Sequence, residues 1–214
     1  MGKLRSVNVS GPKTFQAGEA TIVTSIFKEP VTGRVMLREL NLDGDRQADL
    51  LAHGGPHAAV YVYPYEHYPF WAEQLGRDDF TPGQFGENFT VEGLFEDEVH
   101  IGDQFRVGEA LVQVTQPRSP CYKLAFKMNE PTFVKQFTKA QRVGFYLSVL
   151  EVGEVGAGDP IERVKADPHQ ISVRDVFHLV FFDKENRAAA EKALQIDALG
   201  PSWRGAIEEI AAGK

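Results

Sequence analysis

The chain has 214 residues, 43% of them hydrophobic, with a formal charge of -7 and a pI near 5.4. That is enough for one full-sized domain with a small addition, and the acidity argues against stable nucleic-acid or anionic-membrane binding, which needs a net basic face to displace counterions. One cysteine excludes an internal disulfide, and Met1 to Ser10 combines no basic start with an apolar run, so no signal peptide or membrane span is expected and the cytoplasm is the expected location.

Glycine and proline punctuate short β-branched and aromatic runs over the first three quarters of the chain, the texture of an all-β barrel or sandwich. In chain order the pattern predicts strands at Ala20–Phe27, Gly33–Leu37, Ala59–Tyr63, Val99–Ile101, Gln104–Val107, Leu111–Gln116, Gly144–Val152 and Pro160–Val164. The hairpin around Gly108-Glu109-Ala110 is the clearest pair, because Phe105 and Val107 alternate with polar neighbours before the turn and Val112 and Val114 resume the alternation after it. Between strands, Pro64 followed by Tyr65, Tyr68, Trp71 and Leu75 predicts a short amphipathic helix ended by Gly76, and a second is expected over Pro131–Ala140 with Phe133, Val134 and Phe137 inward.

After Pro168 glycine is absent until Gly200, and helices are predicted at Ser172–Phe177, Lys184–Leu194 and Pro201–Ala212, with Asp183 and Ser202 as first-turn or cap residues. These helices bury only small stripes, so they should pack together or on the barrel. The expected division is a β-rich domain over 1–165 and a C-terminal three-helix appendage over 170–214.

The segment richest in chemistry is Gln116-Pro117-Arg118-Ser119-Pro120-Cys121-Tyr122-Lys123. It follows a strand, is stiffened by two prolines and sets a thiol between two cations, which favour the thiolate: a nucleophile and a soft metal ligand. The plainer alternative is that Cys121 is an inert buried hydrophobe. A polar glycine-rich stretch from Asp43 to Asp49, then His53-Gly54-Gly55-Pro56-His57, lets backbone N–H groups approach a ligand, or is only a turn; the glycines and proline forbid a stable helix between the histidines, which weakens a zinc reading sharply. Gly86-Glu87-Asn88 reads as an acid and an amide in a bend ahead of a strand, or as a plain β-turn, and Arg142 as a cation at a strand mouth, or as surface decoration.

Together these segments resemble the MOSC family, named after the C-terminal part of molybdenum cofactor sulfurase, and within it the bacterial YiiM-like branch. The resemblance rests on 44–49 (GDRQAD), 53–56 (HGGP), 63–68 (YPYEHY), 85–88 (FGEN), 108–114 (GEALVQV) and 116–124, in the expected order. It implies a mainly β fold, a MOSC-type β-barrel with short peripheral helices and a C-terminal three-helix appendage. It further implies that the molybdenum cofactor, Mo-molybdopterin, is bound with Cys121 as protein ligand to the metal. Arg118, Ser119 and Lys123 would then flank the cofactor, with Asp49, Gly54, Gly55 and Asn88 on the pocket rim. Arg118, Lys123, Arg142 and, further afield, Lys13 or Arg38 are candidates for its phosphate.

The activity implied by the resemblance is reduction of N-hydroxylated compounds, such as hydroxylaminopurine-type base analogues, with Glu87, His53 or Asp49 as candidate proton donors. The sequence has neither an iron–sulfur cysteine set nor a dinucleotide fingerprint, so an external flavin or NAD(P)H-dependent reductase is expected as electron donor. Two rivals stand beside this reading. One is a cofactor or sulfur carrier without turnover, fed from outside because no pyridoxal-phosphate-type desulfurase region is present; the other is a small-ligand barrel with an inert cysteine.

Overall fold

The computed structural model describes residues 2–18, 20–48 and 54–213. The described residues form the strands β1 (Gly2–Val9), β2 (Lys13–Ala17), β3 (Ala20–Thr24), β4 (Glu29–Pro30), β5 (Arg34–Leu37), β6 (Val60–Pro64), β7 (Phe89–Glu92), β8 (Gln104–Val107), β9 (Ala110–Pro117), β10 (Phe145–Glu151), β11 (Gly153–Gly156) and β12 (Pro160–Lys165). Six short helices accompany them: α1 (His67–Leu75), α2 (Tyr122–Met128), α3 (Phe133–Ala140), α4 (Val173–Phe182), α5 (Arg187–Ala193) and α6 (Pro201–Ala211). Among the described residues no helix is long and apolar enough to cross a membrane.

Seven strands close a mixed barrel in the order β12-β8-β9-β10-β6-β7-β1, with β1 returning to β12 through the pairs Gly2–Ile161 and Lys3–Pro160. Closure removes the unpaired edge that an open sheet would present. Within the ring only β6 and β7 run parallel, Val62 opposite Phe89 and Tyr63 opposite Thr90. A parallel pair needs a long crossover, and α1 lies in it. The β8–β9 hairpin has the expected register, with Phe105 opposite Val112 and Val107 opposite Ala110, and those four side chains are buried.

One flank of the barrel is sealed by aromatic packing. Trp71 of α1 lies 4.9 Å from Phe133 and 5.5 Å from Phe137 of α3, and Phe85 stacks on Tyr63 at 4.2 Å. The Trp71 indole N–H donates to the Tyr63 hydroxyl at 2.7 Å, so the polar tips inside this apolar wall are paired. The last three helices pack around Phe177, Trp203, Ile207 and Ile210, all buried. Main-chain bonds tie them to the rest of the fold, among them the Arg174 N–H to the Glu96 carbonyl (2.8 Å), the Val173 N–H to that of Val99 (2.9 Å) and the Gly200 N–H to that of Thr115 (3.3 Å).

Several sequence expectations are corrected. Residues Val99–Ile101 form no strand. His100 makes an isolated bridge to Ser172 and the Ile101 N–H donates to the Ile171 carbonyl, so the buried Val99 and Ile101 brace the entry to α4. The strand predicted over Ala20–Phe27 ends at Thr24, whose hydroxyl accepts from the Ile26 N–H and turns the chain out of the β2–β3 ribbon. The helix predicted over Ser172–Phe177 runs on to Phe182, because Phe177 and Phe181 stack at 4.5 Å one turn apart. Its N-cap is Ser172, in a capping box with Asp175, whereas Asp183 sits at its C-terminus. Asn186, not Asp183, caps α5, while Ser202 sits in the first turn of α6 as expected, behind the N-cap Gly200 and Pro201.

Candidate functional site

Segments distant in sequence meet in an open cleft. The chain leaving β3 supplies Thr24, Ser25, Ile26 and Lys28. The loop after β5 supplies Asp45, Gln47 and Ala48, the strands supply Tyr61 and Tyr146, and the segment from Arg118 to Lys123 closes the ring with Cys121. Cys121 is half-buried, in extended backbone immediately before α2, which begins where the proline-stiffened loop ends.

Arg118 is only 5% exposed. Its guanidinium donates to the Phe85 carbonyl at 2.6 Å and lies 4.5 Å over the Tyr61 ring, and its backbone N–H donates to the Gly144 carbonyl at 3.2 Å. Burial alone would lower its pKa, but Tyr61, Tyr146 and Cys121 around it raise it overall, so the cation is held fast. Burial in turn pushes the Tyr61 and Tyr146 phenols up, against the pull of Arg118.

Lys28 is a further cation of the cleft. Its ammonium donates to Asp45 Oδ1 at 2.5 Å, with side-chain exposures of 8% and 1% for the two partners. The Asp45 carboxylate also accepts from the Ser10 N–H (2.8 Å) and the Asn88 amide (2.9 Å), so the buried charge is fully surrounded by donors. Burial lowers the Lys28 pKa, and Asp45 partly restores it. Lys123 is buried on the same cleft, while Ser25, 9% exposed, has a hydroxyl without a hydrogen-bond partner among the described residues. An unsatisfied buried hydroxyl is costly enough to suggest a missing ligand atom or water.

Behind these residues, Lys127 of α2 donates to the carbonyls of Ile26 (2.9 Å) and Gly83 (2.5 Å), tying the helix to two loops of the cleft. Burial brings its pKa down to about 8; Glu87 opposes this, and Lys28 and Arg118 add to it. In the unfolded chain a lysine titrates at about 10.4, so above the folded value the unfolded state binds more protons and stability rises with pH. Below that value both states are protonated and the full penalty remains. The urea midpoint is therefore expected to climb between about pH 8 and 9.5, before tyrosines ionise in the unfolded chain, and to climb less in Lys127→Met. An equal climb in both proteins would show that Lys127 is not the group responsible.

The structure separates the residues singled out in the sequence. Cys121, Arg118, Lys123, Gly86 and Asn88 line the cleft together. Glu87, between the last two, does not: it is 0% exposed, and its carboxylate accepts from the Gly83 and Phe85 N–H groups, the Tyr68 hydroxyl and the Thr90 hydroxyl. Arg142 is also elsewhere, stacked over Phe70 at 4.3 Å and bonded to His67. Ser119 is exposed, and Gly54 and Gly55 lead into the 3-10 turn Pro56–Ala58, of which only Ala58 lines the cleft. Lys13 pairs with Glu29 and Arg38 with Asp43 at the surface. Asp49 and His53 lie outside the described residues. Lys28 and Ser25 escaped sequence reasoning, since no motif surrounds them and only the early end of β3 delivers them to the site, while Asp45 lies in the polar 43–49 stretch but was not singled out there.

Comparison with known proteins gives a consistent picture. Residues 49–162 match the MOSC domain, and residues 171–209 match the YiiM-like 3-alpha helix domain. The chain is 45% identical over 202 residues to the uncharacterized protein YflK of Bacillus subtilis, covering 94% of this chain and 91% of that one. The crystal structure of YiiM from Geobacillus stearothermophilus superposes with a TM-score of 0.83 at 34% identity, covering 98% of this chain and 99% of that one. A protein named Reductase from Gibberella moniliformis is 32% identical over 162 residues, which are 74% of this chain but only 29% of that longer protein.

Proposed function

The chain belongs to the MOSC domain family, a molybdenum-cofactor-associated family, and carries its YiiM-like three-helix extension; from that premise we propose that it holds Mo-molybdopterin in the cleft through Cys121 and reduces small N-hydroxylated compounds. The observation that carries the reading is the placement of the only cysteine on one cleft with the buried cations Arg118 and Lys123 and the Lys28–Asp45 ion pair, in a chain of net charge -7. The donor set suits such a group. A thiol is the soft ligand that thiophilic metals prefer, buried cations offer charge-assisted donors to a phosphate, and the orphaned Ser25 hydroxyl has hydrogen-bonding capacity to spare.

When bound, the cofactor would supply two-electron chemistry with acceptance of an oxygen atom. The chain's own residues would anchor it at Cys121, hold its anionic end with Arg118, Lys123 and Lys28, and keep bulk water from the buried side of the cleft. The net reaction is R–NH–OH plus two protons and two electrons giving R–NH2 and water. Glu87 is poorly suited to give one of those protons, since both its oxygens already accept from buried donors. Of the candidates read from the sequence Asp49 and His53 remain, and the cleft adds Lys28.

Electrons would come from an external flavin or NAD(P)H-dependent reductase. The match to one part of a longer protein named Reductase supports pairing this kind of domain with further redox machinery.

The test is turnover of a hydroxylaminopurine base by cofactor-loaded protein, with reduced viologen dye as artificial donor. Amine should form with wild type and fall by about a thousandfold or more in Cys121→Ser. Stable cofactor binding without amine formation would refute the reductase and favour a carrier.

A further inference from the structure

Arg142, singled out in the sequence yet absent from the cleft, belongs to a second polar cluster that the proposed chemistry does not use. We propose that the buried pair His67–Glu96, oriented by Arg142, is a positioning device that fixes Arg118 and with it the Cys121 loop, acting through the main chain of Gly144.

Each link is a direct contact. Arg142 Nη1 meets His67 Nδ1 at 3.1 Å, and arginine can only donate, so Nδ1 accepts and the ring proton sits on Nε2. That N–H donates to Glu96 Oε2 at 2.7 Å. The other carboxylate oxygen, Oε1, accepts from the Gly144 N–H at 2.8 Å, and the Gly144 carbonyl accepts from the Arg118 N–H at 3.2 Å. His67 is 2% exposed and Glu96 0%.

The segment being held is gripped from its other side as well. The Tyr61 hydroxyl donates to the Val143 carbonyl (2.8 Å) and the Tyr63 hydroxyl to that of Arg142 (3.0 Å). Glu96 also accepts the Arg174 N–H at its own carbonyl, which places the C-terminal helices, the His67–Glu96 pair and Arg118 in series. A buried charged or hydrogen-bonded pair of this kind adds little net stability over apolar packing of the same volume. Its distinctive effect is directional, because one carboxylate fixes one main-chain N–H at one point.

The consequence for function rests on the cofactor reading above: if Arg118 holds the cofactor, loosening Glu96 loosens the cofactor. The experiment is amide hydrogen exchange by NMR on the full chain, with molybdenum per chain measured on the same variants. In Glu96→Ala, exchange at Gly144 and Arg118 should speed up by about tenfold or more, while Val114, bonded to the Asp103 carbonyl, keeps its wild-type rate. Molybdenum retention should fall several-fold. Glu96→Gln keeps one oxygen, which can serve the Gly144 N–H or the His67 Nε2–H but not both, so it should recover only part of each.

Should Glu96→Ala fail to fold, His67→Leu is read in the same way, since it strips the carboxylate of its second partner. Unchanged exchange at Arg118, or equal acceleration at Val114, would overturn the proposal. Absence of molybdenum from the wild type would overturn the cofactor reading instead, and the exchange rates would still decide the positioning claim.

Discussion

Gly144→Ala is expected to cost about 4 kcal/mol, lowering the melting temperature by roughly 10 °C. Gly144 has φ +68, where a Cβ is strained, and that Cβ would lie 2.2 Å from the Val62 carbonyl oxygen and 3.0 Å from carbons of the Tyr61 and Tyr63 rings. The obstruction is backbone of the barrel strand β6, paired on both sides, and cannot be relieved by a rotamer change. Gly158→Ala provides the control, because its φ is +99 but nothing lies within 4 Å of the added carbon. That variant should show conformational strain alone, about 1–2 kcal/mol. The excess in Gly144→Ala measures the steric part by denaturant unfolding, and equal losses in the two variants would mean that β6 yields where it is described as packed.

The difference between sequence reading and structure has a physical pattern. The β8–β9 hairpin was legible because its inward positions Phe105, Val107, Val112 and Val114 are all apolar and buried. β1 was not, although it closes the barrel, because its inward positions include Ser6 and Asn8. Those polar side chains are satisfied inside the fold: the Ser6 hydroxyl donates to Asn8, and the Asn8 amide donates to Thr90 at 3.1 Å. Hydrophobic alternation cannot report a strand whose buried face is polar. α2 was missed for a different reason: it is only seven residues long, and its two fully inward apolar residues are Leu124 and Met128.

The site divides in the same way. Cys121, Arg118 and Lys123 were legible because they are neighbours in sequence, so local composition carries their chemistry. Lys28 and Asp45 become a site only through tertiary packing, since the β2–β3 ribbon must end at Thr24 before Lys28 can reach the cleft. Glu87 shows the converse, a charged residue in a glycine-entered bend that reads as chemistry but holds a loop together by accepting two main-chain N–H groups.

The second large effect is expected at Cys121. Exchanging sulfur for oxygen in Cys121→Ser changes side-chain volume little at a half-buried position, and serine is favoured just before a helix, so folding stability should move by less than about 1 kcal/mol. Metal binding should respond quite differently, because a serine hydroxyl is a hard, weakly acidic ligand that does not replace a thiolate toward molybdenum. The cations Arg118, Lys28 and Lys123 remain in the variant, so any loss of metal would belong to the sulfur and not to the electrostatics of the cleft.

The most direct test is therefore elemental molybdenum per folded chain, wild type against Cys121→Ser, both produced in a host that makes the cofactor. About one molybdenum per wild-type chain and less than about a tenth of that in the variant, with matching melting temperatures, is the expected result. Equal molybdenum in both proteins, or none in either, would contradict Cys121 as the anchor of a metal cofactor.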